Sequence, residues 1–353
     1  MRLIEKVWFK EHPAKWWMLP LLLPLTLIFS LISMIRRAAY RIGILQSINV
    51  SVPVIVVGNI GIGGNGKTPV SLYIVEKLAQ KGLKVGVVSR GYGSKAPHYP
   101  YQVNNTSNAE QAGDEPLLIF QRTGVPVVIG SDRVKGCELL IEQGCEIIIA
   151  DDGLQHYRLV RDFELVVVDG KRLFGNGLLL PAGPLRETKR RLKQVDCVVI
   201  NGESTWLSND DNSNESIECP VLNMQLSASQ LINVKTGVKK PLKSFFEHES
   251  RENKCVNAIA GIGDPERFFS TLKAYGFTLA NSKGFIDHQA FSEQDLQQFP
   301  NNIPLLMTEK DAVKCVSFAN DNCWYLPVDA NFLPNVKNET IDSIIERMFA
   351  LVD

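Results

Sequence analysis

The chain lacks several features that mark common classes of protein. Its 353 residues carry 38 basic and 38 acidic side chains, so no overall field draws it to nucleic acid. Seven cysteines occur without a C-x-x-C pair, and their odd number and wide spacing suit a reducing compartment better than a disulfide framework or a zinc site. The N/T-K-x-D sequence that GTPases use to bind guanine is also missing. Residues 308–311, TEKD, contain the right residue types in the wrong order.

Charge is absent from one long stretch, Trp16 to Ile35, which is mostly apolar. Twenty helical residues cover about 30 Å, the thickness of one hydrocarbon core. A cleaved signal peptide and a buried core helix are the alternatives. The length, the adjacent tryptophans Trp16 and Trp17 and the basic residues at both ends favour an uncleaved membrane anchor. Its two prolines leave open whether it spans the bilayer or lies in the interface.

A glycine-rich stretch follows the apolar residues Val54 to Val57, which predict a buried parallel strand. Residues Gly61 to Thr68 match G-x-x-x-x-G-K-[ST], the phosphate-binding loop of nucleotide hydrolases and kinases. Backbone N–H groups at the start of the next helix would face the phosphates. Lys67 would reach the β- and γ-phosphates, and Thr68 would offer its hydroxyl to Mg²⁺. The alternative is a glycine-rich surface turn. The motif predicts binding of ATP and Mg²⁺, with these cofactor-binding residues: Gly61, Ile62, Gly63, Gly64, Asn65, Gly66, Lys67 and Thr68.

Strand and helix patterns then alternate along the chain. Apolar runs separated by amphipathic segments predict a parallel sheet covered by helices, the α/β fold of P-loop nucleotide hydrolases. The length allows about two domains. We therefore expect an N-terminal anchor and flank at 1–43, a nucleotide-binding kinase domain at 44–233 and a smaller C-terminal α/β lobe at 234–353. Within the kinase domain, the polar stretch 208–218 predicts a surface loop.

Polar residues that directly follow a predicted strand are candidates for the site, because ligands collect at the carboxyl ends of parallel strands. Asp151 and Asp152 follow one strand, so either could hold Mg²⁺ or cap a helix. Arg90 and Tyr92 follow another strand and offer a cation and an aromatic ring.

Two further groups of residues each allow more than one interpretation. Asp114 begins a helix, where a carboxylate either caps or catalyses. The glycines and prolines between Phe174 and Pro184 shape a loop that delivers Arg186. Arg133 and Arg186 are candidates for neutralising charge on a phosphoryl group. The basic side chains that follow, between Lys189 and Lys193, are either a solvated face or a contact with anionic lipid.

Several short strings then appear in an order that resembles the tetraacyldisaccharide 4′-kinases, the lipid A 4′-kinases of Gram-negative bacteria. The resemblance covers about residues 45 to 328 and rests on these strings: GNIGIGGNGKTP, VSRGYG, AGDEP, DDGLQHYRL, FGNG, LLPAGPLRE, GIGDPERFF, DHQ and TEKDAVK. It implies ATP-dependent phosphorylation of the 4′-hydroxyl of a tetraacylated glucosamine disaccharide 1-phosphate. Since ATP is cytosolic, the reaction is expected at the cytoplasmic face of the inner membrane, with membrane lipid as a partner and without nucleic acid or an obligate protein partner.

The resemblance also changes the interpretation of His288. A lone histidine is more often a satisfied structural residue, but in the family the matching histidine works with the aspartate of GDEP. Asp114 is therefore expected to accept the hydroxyl proton, with His288 orienting it across a cleft between the lobes. Lys67 and Arg186 complete the candidate catalytic set. The candidate substrate-binding residues are Arg90, Tyr92, Glu115, Arg133, Gln155 and Asn176.

A second class of function is open at this point. A membrane-bound P-loop ATPase could act as a regulatory or assembly switch without transferring phosphate to an acceptor. Such a switch has little use for a hydroxyl base or for a histidine in a second lobe.

Overall fold

The computed structural model describes residues 3–204, 217–245, 254–334 and 339–352. These residues form two compact units. The first unit contains Met1–Arg90, Val125–Gln225 and Ala330–Asp353, and the second contains Gly91–Gly124 and Leu226–Asp329. Most of the predicted surface loop at 208–218 lies outside the described residues.

The helices begin with a short segment and the long apolar helix, and the remainder alternate with strands as expected. A 3₁₀ helix occupies Lys189–Gln194. The α-helices are α1 (Leu3–Phe9), α2 (Lys15–Arg41), α3 (Lys67–Gln80), α4 (Ala109–Ala112), α5 (Asp114–Thr123), α6 (Arg133–Glu142), α7 (Pro265–Ala274), α8 (Glu293–Gln297), α9 (Glu309–Cys315) and α10 (Ile341–Phe349).

The sheet of the first unit contains short, almost wholly apolar strands, which is typical of strands buried on both faces. Its order is β15-β8-β7-β6-β1-β5-β2-β4, and the pairs from β8 to β4 are parallel. The strands are β1 (Val54–Gly58), β2 (Val85–Ser89), β4 (Val127–Ile129), β5 (Ile147–Asp151), β6 (Phe163–Asp169), β7 (Cys197–Asn201), β8 (Val221–Ser227) and β15 (Asp329–Phe332). A short strand β3 (Tyr101–Gln102) lies in the second unit.

Strand β1 lies near the middle of this sheet, between β5 and β6, and every one of its residues is buried. Helix α3 packs against β1, β2 and β5. The carboxyl ends of β1 and β5 are therefore adjacent, and the residues that follow them, the glycine-rich loop and Asp152, lie at the same edge. The predicted α/β class and helix-covered parallel sheet are confirmed.

The second unit has its own mixed sheet and two apolar clusters. Its strand order is β10-β9-β14-β13-β11-β12, in which β14, β13, β11 and β12 run parallel and β9 pairs antiparallel with its neighbours. These strands are β9 (Gln230–Asn233), β10 (Lys239–Pro241), β11 (Cys255–Ala260), β12 (Thr278–Gly284), β13 (Leu305–Thr308) and β14 (Cys323–Leu326).

The two units do not follow the predicted division at two places. Residues 91–124, expected in the nucleotide-binding domain, belong to the second unit, and helix α10, expected in the C-terminal lobe, belongs to the first. Helix α5 packs against α9 within the second unit, and α10 packs against α3 within the first. These contacts join segments that are distant in sequence, which local patterns do not reveal. The functional boundaries at 44–233 and 234–353 stay a prediction.

Helix α2 is the one helix among the described residues that is long and apolar enough to cross a membrane. Its most apolar window has a mean hydropathy of 2.3, and only 6% of that window is buried within the protein. The helix still contacts the first unit at defined points. The Thr26 hydroxyl accepts a hydrogen bond from Ala182 N at 2.9 Å, and Arg37 lies 3.8 Å from the Glu187 carboxylate. The residues it contacts belong to the loop that carries Arg186.

Candidate active site

The glycine-rich loop connects β1 to the N-terminus of α3, as the motif predicts. Gly66 is the residue before the helix and has a φ of +91°, a left-handed conformation that glycine adopts without strain. A Cβ atom there would also collide with the side-chain amide of Asn201, which donates a hydrogen bond to Asn65 O at 3.0 Å. Lys67 and Thr68 are thus the first residues of a 14-residue helix. The helix dipole favours negative charge at this end.

Asp152 is surrounded by positive charge in the first unit. Lys67 Nζ lies 3.4 Å from one of its carboxylate oxygens, and Arg186 Nη1 lies 3.2 Å from the other. Burial opposes ionisation of Asp152, but the charges of Lys67 and Arg186 outweigh it and lower the pKa to about 2. The residue also has a φ of +49°, a strained conformation of the kind that concentrates at functional sites.

Asp151 differs from its neighbour in exposure and partners. It is the last residue of β5, is 1% exposed, and accepts a hydrogen bond from the Ser71 hydroxyl of α3 at 2.9 Å. The Asp152 side chain is 29% exposed. The two adjacent carboxylates therefore have distinct surroundings, one tied to α3 and one open beside Lys67.

Arg133 lies beneath this turn rather than at its surface. It is 5% exposed, and its Nη2 donates to the backbone carbonyls of Asp152 at 2.9 Å and Asp151 at 3.2 Å. The guanidinium therefore holds the backbone that presents both carboxylates. Its predicted role as a substrate ligand stays a prediction.

A second set of contacts supports Arg186. Gln155 Oε1 accepts from Arg186 Nη1 at 3.3 Å, while Gln155 Nε2 donates to Asn59 O at 3.0 Å and to Glu187 at 2.9 Å. Asn176 instead bonds within its own loop, donating to Ala182 O at 2.9 Å. The structure thus brings Lys67, Asp152, Arg186 and Gln155 together.

The second unit contains a separate cluster around Asp114. This residue starts α5 and is 6% exposed. Its Oδ1 lies 3.1 Å from His288 Nδ1 and accepts from Glu115 N at 3.0 Å. Its Oδ2 is buried without a hydrogen-bond partner among the described residues, and Lys310 Nζ lies 3.7 Å from it as an ion-pair partner. Asp114 therefore combines the helix-start position with the expected contact to His288, and the contact lies inside one unit rather than across a cleft between lobes.

Charges in this cluster set the protonation of the pair. Burial opposes ionisation of Asp114, but the hydrogen bond with His288 and the charge of Lys310 lower its pKa to about 2. The same hydrogen bond raises the pKa of His288 above its ordinary value of 6.5. His288 has a φ of +61°, and the Tyr92 ring, 68% exposed, lies 5.3 Å from the imidazole between ring centres.

Lys310 joins this cluster from the start of α9 and is not among the residues predicted from the sequence. Its Nζ lies 3.0 Å from Glu115 Oε1, 3.2 Å from Asp287 Oδ1 and 3.3 Å from His288 Nε2. The available signal was the string TEKDAVK, where a lysine follows strand β13 by two residues. The string is one of those shared with the family that the sequence resembles, but no residue within it predicts a contact with His288.

Comparison with known proteins places these features in one family of sequences. A family model described as Tetraacyldisaccharide-1-P 4′-kinase matches residues 18–348. A tetraacyldisaccharide 4′-kinase of Colwellia psychrerythraea is 59% identical over 332 residues, covering 94% of each chain. One from Vibrio cholerae serotype O1 is 46% identical over 346 residues, which cover 98% of this chain and 97% of the relative. The crystal structure of LpxK from Aquifex aeolicus in complex with ATP is similar with a TM-score of 0.73 and 29% identity, covering 93% of this chain and 98% of that one.

Proposed function

Because the chain belongs to the tetraacyldisaccharide-1-P 4′-kinase family, we propose that it transfers the γ-phosphate of ATP to a lipid A precursor. It is a phosphotransferase, and the acceptor is the 4′-hydroxyl of a tetraacylated glucosamine disaccharide 1-phosphate. The relatives bear the name of this kinase, and the similar solved LpxK holds ATP. None of these comparisons supports the alternative of a regulatory or assembly ATPase.

The observation that carries the proposal beyond family membership is the contact between Asp114 and His288. A carboxylate that stays ionised, with one oxygen oriented by an imidazole and the other buried without a hydrogen-bond partner among the described residues, suits abstraction of a hydroxyl proton. Asp114 would accept the proton at Oδ2 as the acceptor oxygen attacks phosphorus. A general base of this kind raises the rate of the reaction by a factor of about 10²–10⁴. A nucleotide switch needs no such group.

The glycine-rich loop would bind the nucleotide. Backbone N–H groups of residues 61–68 and the N-terminus of α3 would surround the phosphates, and Lys67 would place its charge on the β- and γ-phosphates. Lys67 already lies beside Asp152, so a bound nucleotide would place its phosphates next to both the Lys67 ammonium and the Asp152 carboxylate.

The residues near Asp152 fit Mg²⁺ better than a metal held by protein side chains alone. No group of three or more His, Cys, Asp or Glu that could hold a metal occurs in the described part of the chain. Mg²⁺ commonly takes one or two carboxylates together with phosphate oxygens and water, and prefers hard oxygen ligands. Thr68 and Asp152 would supply such oxygens, with Asp151 bonded to Ser71 behind them. When bound, Mg²⁺ neutralises charge on the transferred phosphoryl group.

Arg186 would contribute positive charge to the reaction, whereas Arg133 would hold the two aspartates in position. Arg186 is the cation at the open side of Asp152, where it would neutralise charge on the γ-phosphoryl group. Gln155 holds Arg186 in place, and Arg133 holds the backbone of the aspartates. Among the other candidates, Arg90 and Tyr92 have exposed side chains suited to contact the acceptor, whereas Glu115 and Asn176 are already bonded to protein groups.

Helix α2 supports a membrane location for the reaction. Its exposed apolar side chains include Trp16, Leu27 and Ile32, which suit burial among acyl chains. Its middle residue Thr26 bonds to the Arg186 loop, so we favour a helix that lies in the interface along the protein over one that spans the bilayer. An acceptor with four acyl chains would reside in such a membrane, and because ATP is cytosolic the proposed location is the cytoplasmic face of the inner membrane.

A radiolabel experiment tests the function. The full chain is incubated with γ-labelled ATP, Mg²⁺ and the tetraacylated acceptor in mixed micelles, and lipid is extracted and separated. We expect label in a lipid with one additional phosphate. A 4′-deoxy acceptor is the control that removes only the reacting hydroxyl and should take up no label. Release of free phosphate alone, at the same rate with either lipid, would instead identify an ATPase.

A further inference from the structure

We propose that Lys310 is a positioning residue that selects the tautomer of His288 and thereby directs the imidazole N–H to Asp114. This inference rests on the proposed function only for its effect on turnover, because the tautomer itself is a property of the protein alone. Lys310 is the second residue of α9, and its side chain reaches α5 and the loop containing Asp287 and His288.

The hydrogen bonds that the Lys310 ammonium donates determine the protonation of His288 Nε2. An ammonium group donates up to three hydrogen bonds and accepts none. Lys310 Nζ has three acceptors within hydrogen-bond distance: Glu115 Oε1 at 3.0 Å, Asp287 Oδ1 at 3.2 Å and His288 Nε2 at 3.3 Å. Asp114 Oδ2 lies further away, at 3.7 Å, and forms an ion pair with the ammonium. His288 Nε2 must then be unprotonated, since an N–H there would face the ammonium.

The hydrogen bond with Asp114 raises the pKa of His288 above 6.5, and at pH values above that raised pKa the imidazole is neutral and carries a single proton. With Nε2 as acceptor, the proton sits on Nδ1, and Nδ1–H donates to Asp114 Oδ1 at 3.1 Å. Asp114 Oδ1 is thereby occupied as an acceptor, and Oδ2 is the oxygen left for the substrate proton. In the other tautomer, lone pairs of Nδ1 and Oδ1 would face each other, and the hydrogen bond that orients the carboxylate would be lost.

The charge of Lys310 is secured by its neighbours. Burial alone would lower its pKa, but the carboxylates of Glu115, Asp114 and Asp287 raise it above its ordinary value. Lys310 therefore remains an ammonium across the physiological range, and its charge opposes protonation of His288. Among the described residues, the charged groups that act on the imidazole are Asp114 on α5, Asp287 on its own loop and Lys310 on α9, and the Tyr92 ring lies beside it.

Nitrogen NMR tests whether Lys310 selects the tautomer of His288 or only forms ion pairs with the neighbouring carboxylates. The full chain is labelled with ¹⁵N-histidine, and two-bond N–H correlations report the tautomer of each of the five histidines, with His288→Gln assigning the signal. Spectra are recorded at a pH above the raised pKa of His288, where the ring is neutral, and we expect the Nδ1–H form in the wild type and its loss in favour of Nε2–H in Lys310→Met. Lys310→Arg retains a charged donor and should restore Nδ1–H.

Kinetics supply the second readout. In Lys310→Met, kcat should fall about tenfold, less than the ~10²–10⁴ that loss of a base costs, while the KM for ATP changes little. The acid limb of the kcat profile should move to higher pH, because the imidazole loses a neighbouring positive charge that opposes its protonation.

Lys235→Met is the control. Lys235 pairs with Asp321 at 3.2 Å on the surface of the same unit, so its loss should leave the His288 tautomer and the acid limb unchanged. The proposal is overturned if the wild type shows Nε2–H, or if Lys310→Met keeps both the Nδ1–H signal and the wild-type acid limb. Absence of lipid phosphorylation in the wild type would overturn the proposed function and leave the tautomer result unaffected.

Discussion

His288 Nδ1 lies 3.1 Å from Asp114 Oδ1, although 174 residues separate the two in sequence. Asp114 is placed by the start of α5, and His288 by a left-handed backbone position of the kind that costs about 1–3 kcal/mol when a side chain is present. The surrounding structure holds this strained residue against the carboxylate. Such strain is typical of functional sites.

A double-mutant cycle on this pair tests its catalytic role. Asp114→Asn should lower kcat by about 10²–10⁴ because it removes the proton acceptor, with little change in the KM for ATP. His288→Ala should cost less, and the double variant should lose clearly less than the product of the single losses, because the two act as one unit.

The competing explanation is that Asp114 only stabilises the start of α5, where Gly113 is the N-cap and Asp114 accepts from Glu115 N. Loss of a carboxylate at a helix N-terminus lowers stability by about 0.3–1 kcal/mol and leaves the folded fraction fully active. Melting temperatures measured beside kcat for all four proteins decide between the two. Losses that multiply independently, or that follow the melting temperature, would remove both residues from the mechanism.

The phosphate-binding role of the loop predicts a second outcome. Lys67→Ala should reduce turnover by about 10²–10³, the scale seen when one preorganised electrostatic donor is lost. Thr68→Ala should act through the metal and respond to the Mg²⁺ concentration. Lys81→Ala, just beyond the other end of α3, removes the surface pair with Glu346 and the contact with the Phe349 ring and serves as the control. Wild-type turnover in folded Lys67→Ala would contradict the loop assignment.

The apolar face of α2 predicts a third outcome. Leu27→Gln combined with Leu31→Gln alters two exposed residues on one face of the helix. Their loss should weaken membrane partition by about 3 kcal/mol or more, roughly 10²-fold. Sedimentation with membranes after a high-salt wash measures this change.

Thr26→Val is the control for the helix. It removes the hydroxyl that binds Ala182 N and leaves the apolar face unchanged, so it should sediment as the wild type does. Complete sedimentation of the double glutamine variant would mean that another surface attaches the protein to the membrane.

His156 predicts a pH dependence of stability. Burial, followed by the charges of Arg133 and Arg161, lowers its pKa from 6.5 to about 4. Between these values the unfolded chain binds a proton that the folded chain excludes, so this residue makes the protein less stable as pH falls from 6.5 towards 4. The stabilisation it provides is fully present above pH 6.5.

Melting curves at pH 7 and pH 5 check this expectation. The fall in melting temperature between the two should be smaller in His156→Gln, which has no charge to gain. The exposed His98→Gln serves as the control. An equal fall in wild type and His156→Gln would show that other groups carry the acid sensitivity.

The sequence by itself determined the elements whose cause is local. Consecutive apolar residues predicted β1 within one residue of its observed end, because strands buried on both faces need apolar side chains throughout. The turn between β1 and α3 followed from its glycines, since Gly66 adopts a backbone angle that other residues reach only with strain. The charge-free run likewise predicted helix α2.

Tertiary structure alone decided which side chains meet. The carbonyls of Asp151 and Asp152 are held by Arg133, and the imidazole of His288 contacts Lys310; each partner comes from a different element. The grouping of residues 91–124 with the second unit has the same origin, because α5 packs against α9. Such contacts depend on where distant segments cross. Buried charges then take their protonation from those neighbours, which no local pattern contains.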